Sequence, residues 1–476
     1  MASQRDPCPS RQASLWLGAA LLLGWALRVG LSLRSGIVHP DEIFQMEEPA
    51  HRLAFGYGIV AWEWRAGIRS WVFPYLFSLL MRVFGSSAGS TAYLLAIKLL
   101  LSTASLVVVL TGYHWVRRIA GETAALVAAF ATALWYQLAI YASHPLSEVL
   151  ATDFLLPGLY LQCFSDGRRT RLIAGALLAS TAACARIQLL PIVVLSTLLF
   201  CSDWRPRTLG YLAAAVMAPL CLSGLVDWLT WGHPFQSVWK YVLVNLTVSK
   251  RYGVDPWWWY LRDLAIRLNI LLLAATLSVR RLPRMALIVA ATVALFSFIP
   301  HKEERFLYPV WPLIVIMGSL GLYSLLQWQR LRDAVRLRAG WAPAAAAIMV
   351  AVVSASSALR FHFWPGTADA IRLFDLLARD SSVCGIELVD VPWVNTGGYT
   401  HLHRDIPIGV SKQMIPLIDA SNNVLLTTRA HLSAIDASYA LLACSGGAWG
   451  VCAYKRPGRC WSDGDGINGY LARIHE

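Results

Sequence analysis

Apolar runs of close to 20 residues recur along this chain, and they constrain its fold more than anything else in it. An α-helix needs about 20 residues to cross the hydrocarbon core of a bilayer. Runs of that kind lie at about 14–33, 91–113, 120–139, 147–164, 172–186, 187–202, 209–227, 263–279, 285–299, 307–326 and 341–359. Charged residues make up 14% of the chain, against roughly 25% in soluble domains. The expected fold is therefore mostly α-helical: a multi-span membrane protein with about 11 transmembrane helices. The first run passes through Arg34-Ser35-Gly36 with no convincing cleavage site. It reads as a retained span, with a signal peptide as the minor alternative.

The net charge is +13, but the basic residues fall in short clusters between apolar runs. That is the pattern of positive loops facing the cytoplasm, and it excludes a nucleic-acid-binding surface. With the N-terminus cytoplasmic, one side receives Arg117-Arg118, Arg168 to Arg171, Arg205 and Arg207, Arg280-Arg281 with Arg284, and Arg330 to Arg338. A shift by one span scatters these clusters across both sides. The other side, periplasmic or lumenal, receives the acidic and aromatic loops. The chain then divides into a transmembrane part, 1–360, holding a long first exterior loop at 34–90, and an exterior α+β domain at 361–476. In that domain Thr367 to Ala378 reads as a helix, and Ser382 to Val389, Asn423 to Thr428 and Leu441 to Tyr454 read as strands. Its cysteines, Cys384, Cys444, Cys452 and Cys460, suit one or two disulfides in an oxidising compartment, with the pairing open. The strong bias of the basic residues to Arg suggests a bacterial inner membrane, and the endoplasmic reticulum is the alternative expected location.

Two charged motifs stand at the exterior ends of spans. His39-Pro40-Asp41-Glu42 follows the first span, and a carboxylate there can accept a proton from an attacking hydroxyl. A topological or capping role for the pair is the alternative. His301-Lys302-Glu303-Glu304-Arg305 joins two spans. Lys302 and Arg305 can hold a phosphate, one as a point charge and the other as a planar fork. Here the alternative is a salt-bridged anchor for the span ends. His401 and His403, with Tyr399 and Asp405, are too few for a metal site. No Gly-rich phosphate cradle, nucleotide fingerprint or zinc spacing appears.

The run HPDEIFQMEEPAHRLAFGYGIVAWEWRAGIRSWVFP, residues 39 to 74, resembles the first lumenal loop of the family 22 mannosyltransferases, multi-span enzymes of the GT-C class. HKEERFLYPVWP, residues 301 to 312, is similar to their second signature. The wording YGIVAWEW is most similar to the branch that adds the third GPI mannose, and a bacterial relative with another acceptor also fits. The resemblance implies an inverting transfer of mannose from a polyprenyl (dolichyl-type) phosphate to a glycan or glycolipid, with α linkage. It implies Asp41 as the base with Glu42 second, and His301, Lys302 and Arg305 at the donor phosphate. Glu303, Glu304, Trp62, Glu63, Trp64 and Arg69 would orient sugar or acceptor. Neither a metal nor another cofactor is expected if those cations neutralise the phosphate. The rivals are another lipid-linked sugar transferase and a polytopic transporter. Transporters favour midplane charges and paired repeats, and the sequence has no repeat.

Overall fold

The structure is a computed structural model, and it describes residues 9–34, 36–85, 91–248, 253–327, 342–360, 367–411, 422–428, 435, 437–445, 450–460 and 466–474. The basic cluster Arg330 to Arg338 and the junction at 361–366 lie outside the described residues. The chain forms two compact units. One comprises residues 1–31 and 100–361, the other residues 32–99 and 362–476.

The first unit is helical. Its apolar runs fold as Arg11–Ser32, Leu106–Leu134, Ser147–Cys163, Arg169–Ala185, Leu190–Phe200, Pro206–Trp231, Trp259–Ser278, Pro283–Ser297, Trp311–Leu326 and Ala342–Arg360. Among the described residues, four stretches are long and apolar enough to cross a membrane by themselves: Arg11–Ser32, Ala92–Leu134, Pro206–Trp231 and Glu304–Leu326. Large apolar side chains such as Leu22, Leu222 and Leu229 stand exposed on these helices. Contiguous apolar surface of that kind needs lipid around it. The chain is a mostly helical, multi-pass membrane protein.

Helix contact in the first unit depends on small residues. Ser147–Cys163 crosses Arg169–Ala185 at Gly158 and Gly175. A Cβ on Gly158 would stand 2.9 Å from the Gly175 carbonyl, and one on Gly175 would stand 2.7 Å from the Gly158 carbonyl. Only glycine at both positions lets the backbones approach this closely. The crossing fixes Glu148 and Arg186, which lie at the same end of the pair.

The second unit gathers the first loop with the C-terminal segment, whereas the sequence placed a boundary at residue 360 and kept the loop with the helices. Buried polar joints account for the difference. Glu48 Oε1 accepts the Thr400 backbone N–H at 2.7 Å and its hydroxyl at 2.8 Å, and Oε2 accepts the Ile59 N–H. Asn468 accepts from Val60 N–H at 2.8 Å and donates to Gly58 O at 3.0 Å. Such joints form only if both segments fold together.

The C-terminal segment carries a five-stranded sheet of β1 (Ile386–Val389), β2 (Ile408–Ser411), β3 (Val424–Thr428), β4 (Ala440–Cys444) and β5 (Val451–Lys455) in the order β2-β1-β3-β5-β4. β1 runs parallel to β2 and β3, and β5 antiparallel to β3 and β4. Helix Thr367–Ala378 buries Ile371, Phe374 and Leu377, which repeat at helical spacing. The disulfides are Cys384–Cys460 and Cys444–Cys452.

Candidate active site

The acidic motif lies in the second unit. Pro40 starts a turn, and residues Glu42–Glu47 continue it as a π-helix, a form that often marks functional sites. Glu42 is buried, and its Oε1 accepts the backbone N–H groups of Val38 at 2.6 Å and His39 at 3.1 Å. It therefore clamps the approach to the turn. Asp41 is partly exposed, with His39 Nδ1 3.4 Å from its Oδ1. Nδ1 also accepts the Asp41 backbone N–H at 3.1 Å, so that nitrogen carries no proton in this geometry. The two adjacent carboxylates thus have different duties. Glu42 is a structural acceptor, and Asp41 is presented at the surface of its unit.

Behind Asp41 lie more buried acids. Burial pushes Glu47 up to about 8, helped by neighbouring Glu42 and Glu48 and opposed by Lys98. Like charges this close in a dry site do not all ionise, so Glu47 holds a proton at neutral pH. Glu63 accepts from Gln45 Nε2 at 3.0 Å and Arg69 Nη2 at 2.6 Å, which ties the loop after the π-helix to it. Trp64 is buried, donates from Nε1 to Phe44 O at 3.0 Å, and stacks near Trp71 at 4.3 Å. It packs under the π-helix, whereas Trp62 is partly exposed.

The cationic motif lies in the first unit. Lys302 is buried and donates to the carbonyls of Ile299 at 2.7 Å and Asp255 at 3.1 Å. Arg305 is buried between Glu303, 2.6 Å from its Nε, and Glu148, 3.0 Å from its Nη1. His301 Nε2 lies 2.9 Å from the other oxygen of Glu303. Glu304 accepts from the Tyr141 hydroxyl at 2.8 Å and from Arg267, whose Nε meets Asp263 at 2.6 Å. His301, Glu303, Glu304 and Arg305 are thus brought together with four residues outside the motif, Glu148, Arg186, Asp263 and Arg267, while Lys302 is held by backbone carbonyls. Arg267 had one usable signal, since a cation inside a span must find a partner. Glu148 and Arg186 stand at span ends, where a charge is ordinary.

An apolar groove of about 540 Å³ runs between Trp259–Ser278, Pro283–Ser297 and Trp311–Leu326, lined by residues including Leu272, Val289, Val293 and Ile314. Trp257 and Phe298 line it too. They stand within two residues in the chain of Asp255 and Ile299, whose carbonyls hold Lys302. His401 and His403, singled out in the sequence, are taken up by protein: His401 pairs with Asp375 at 2.8 Å, and His403 bonds His51.

The chain is a glycosyltransferase of GT-C-type fold. The chain belongs to the Alg9-like mannosyltransferase family, whose sequence profile matches residues 19–403. Similar proteins include GPI alpha-1,2-mannosyltransferase 3 of Danio rerio, 28% identical over 311 residues, covering 61% of this chain and 56% of that protein. The Mus musculus protein of the same name is 26% identical over 312 residues, covering 61% and 56%. Mannosyltransferase APTG1 of Arabidopsis thaliana is 25% identical over 412 residues, covering 78% and 72%. The match thus spans little more than half the length of the first two relatives. Among solved structures, ArnT from Cupriavidus metallidurans bound to undecaprenyl phosphate is similar with a TM-score of 0.63 and 12% identity, covering 93% of this chain and 97% of that one. At that identity the likeness is one of fold.

Proposed function

We propose that the protein is an inverting mannosyltransferase that moves mannose from a polyprenyl-phosphate donor to a glycan or glycolipid hydroxyl, forming an α linkage. The observation that carries this reading is an apolar groove lined by Trp257 and Phe298, near neighbours in the chain of Asp255 and Ile299, whose carbonyls hold Lys302. A long isoprenoid tail and a phosphate head need an apolar surface and a cation. The relatives named GPI alpha-1,2-mannosyltransferase 3 support mannose and the α linkage, and the ArnT structure with undecaprenyl phosphate supports a lipid phosphate.

In the proposed step the acceptor oxygen bonds to the anomeric carbon of mannose as the bond from that carbon to the phosphate oxygen breaks. The hydroxyl proton passes to Asp41, and the electron pair of the broken bond leaves on the phosphate. One base suffices for a single inversion, because the leaving group is already an anion and needs no proton. The cations around 301–305 stabilise the charge it gains, so the step requires no metal. Glu303, Glu304, Glu63 and Arg69 hold their neighbours in place, and Trp62 offers an aromatic face to a sugar. The remaining elements of the proposal are about 11 spans, a site on the periplasmic or lumenal side, and residues 361–476 as an exterior domain. The test is incubation of the full chain with labelled polyprenyl-phosphate mannose and candidate acceptors, read by product mass. Label that stays on the lipid with every acceptor would remove the proposal.

A further inference from the structure

We infer that Arg186 grips the donor phosphate, through the edge of its guanidinium formed by Nε and Nη2. The inference rests on the lipid-phosphate reading above and adds a residue from outside the 301–305 motif. It comes from accounting for the four cations Lys302, Arg305, Arg267 and Arg186 in and around the 301–305 turn. Lys302 spends two donors on carbonyls. Arg305 meets Glu303 and Glu148, and Arg267 meets Asp263 and Glu304. Arg186 differs. Its Nη1 lies 2.7 Å from Glu148 Oε1 and 3.4 Å from the Ser147 hydroxyl, but Nε and Nη2 are buried and meet no acceptor among the described residues. The whole side chain is only 6% exposed.

Unmade hydrogen bonds on a buried charged group are costly, so such an edge is seldom left idle without a use. The Nε–H and Nη2–H bonds point the same way, with a spacing that suits two oxygens of one phosphate. The guanidinium is held for that purpose. Glu148 fixes it from Nη1, and the rings of Phe306 and Phe296 lie 4.6 and 5.6 Å from its Cζ. Arg186 also sits where the chain turns from Arg169–Ala185 into the short 3-10 turn Ile187–Leu189, so the backbone aims it independently of the 301–305 motif. Its free edge is closed to solvent. The phosphate reaches it when the 3-10 turn Glu304–Val310, which carries Phe306, gives way. Turns of this type have poorer hydrogen-bond geometry than an α-helix.

The test compares binding of a polyprenyl phosphate with that of the matching polyprenol, in the full chain and in Arg186→Lys. Lysine keeps the charge and removes the fork. The wild type should prefer the phosphate, and Arg186→Lys should lose at least about tenfold of that preference while binding the polyprenol as before. A wild type without preference overturns the lipid-phosphate reading itself. A wild type with preference and an Arg186→Lys that retains it overturns only the role of Arg186. If the variant does not fold, a polyprenyl phosphate with a photoreactive group on the phosphate is used on the wild type. Label on the peptide holding Arg186 supports the inference, and label only on other peptides overturns it.

Discussion

His51 and His403, 352 positions apart in the chain, meet ring to ring, with Nε2 of one 3.0 Å from Nδ1 of the other. His51 Nδ1 faces the Tyr57 carbonyl at 3.0 Å, and His403 Nε2 faces the Gly85 carbonyl at 3.3 Å. Three contacts would need three protons, and two neutral rings carry two. Burial favours the neutral pair and depresses His51 to about 4, with His403 opposing its charge as well.

This pair should make the second unit acid-sensitive. Between about pH 6.5 and 4 the unfolded chain binds a proton at His51 that the folded chain does not. Stability therefore falls as pH drops through that window, by up to about 3 kcal/mol at its foot. Glu47, raised to about 8, acts with the opposite sign: its contribution is lost as pH rises from the ordinary carboxylate range through 8. Thermal unfolding of wild type and His51→Gln at pH 7.5 and 5 separates the two, since Glu47 acts in both proteins. The wild type should lose more on acidification than the variant. Equal losses would mean that His51 is not held neutral.

Asp41 and Glu42 should part company under mutation. Asp41→Asn should lower kcat by about 10²–10⁴-fold, the usual range for a lost general base, with the unfolding temperature unchanged. Glu42→Ala leaves two buried N–H groups without their acceptor. It should cost about 1–3 kcal/mol for each, read as a fall in unfolding temperature. A stable Glu42→Ala protein would contradict the clamp.

Glu148 is fully buried and is met by Arg186 at 2.7 Å and Arg305 at 3.0 Å through the same oxygen. Glu148→Gln removes the charge that holds both. Breaking a buried ion pair from one side costs about 3–5 kcal/mol, so the purified variant should unfold well below the wild type. A variant of wild-type stability would mean that the two arginines find another anion.

The groove should report on tail length. Ala290 lines it and is itself exposed, so Ala290→Trp fills the groove without disturbing a packed core. KM for a long-chain donor should rise about tenfold, the equivalent of ~1.4 kcal/mol, and KM for a donor with a two-isoprene tail should not move. Equal effects on both would place the tail elsewhere.

Much of this was legible in the sequence where a pattern is local. Thr367 to Ala378 was readable to the residue because its apolar positions repeat at helical spacing and nothing in it breaks a helix. The stretch Leu441 to Tyr454 was read as one strand, whereas β4 and β5 fold back antiparallel and are closed by Cys444–Cys452. The glycines at 446, 447 and 450 were the overlooked turn signal. β2 is four residues, too short to show alternation. Within the site, the charged motifs announced themselves at span ends. The partners Glu148 and Arg186 did not, because what makes them matter is a helix crossing at Gly158 and Gly175. The joint from Glu48 to Thr400 also spans 352 positions, and no local pattern encodes it.

Proton transfer to Asp41 as a polyprenyl phosphate leaves is the step on which the proposed activity turns. It is tested most directly by single-turnover transfer from labelled polyprenyl-phosphate mannose, in wild type and Asp41→Asn protein already saturated with the lipid donor. Label should appear on the acceptor in the wild type. In the variant the donor should stay bound but unreacted. Wild-type transfer rates in Asp41→Asn would remove Asp41 as the base.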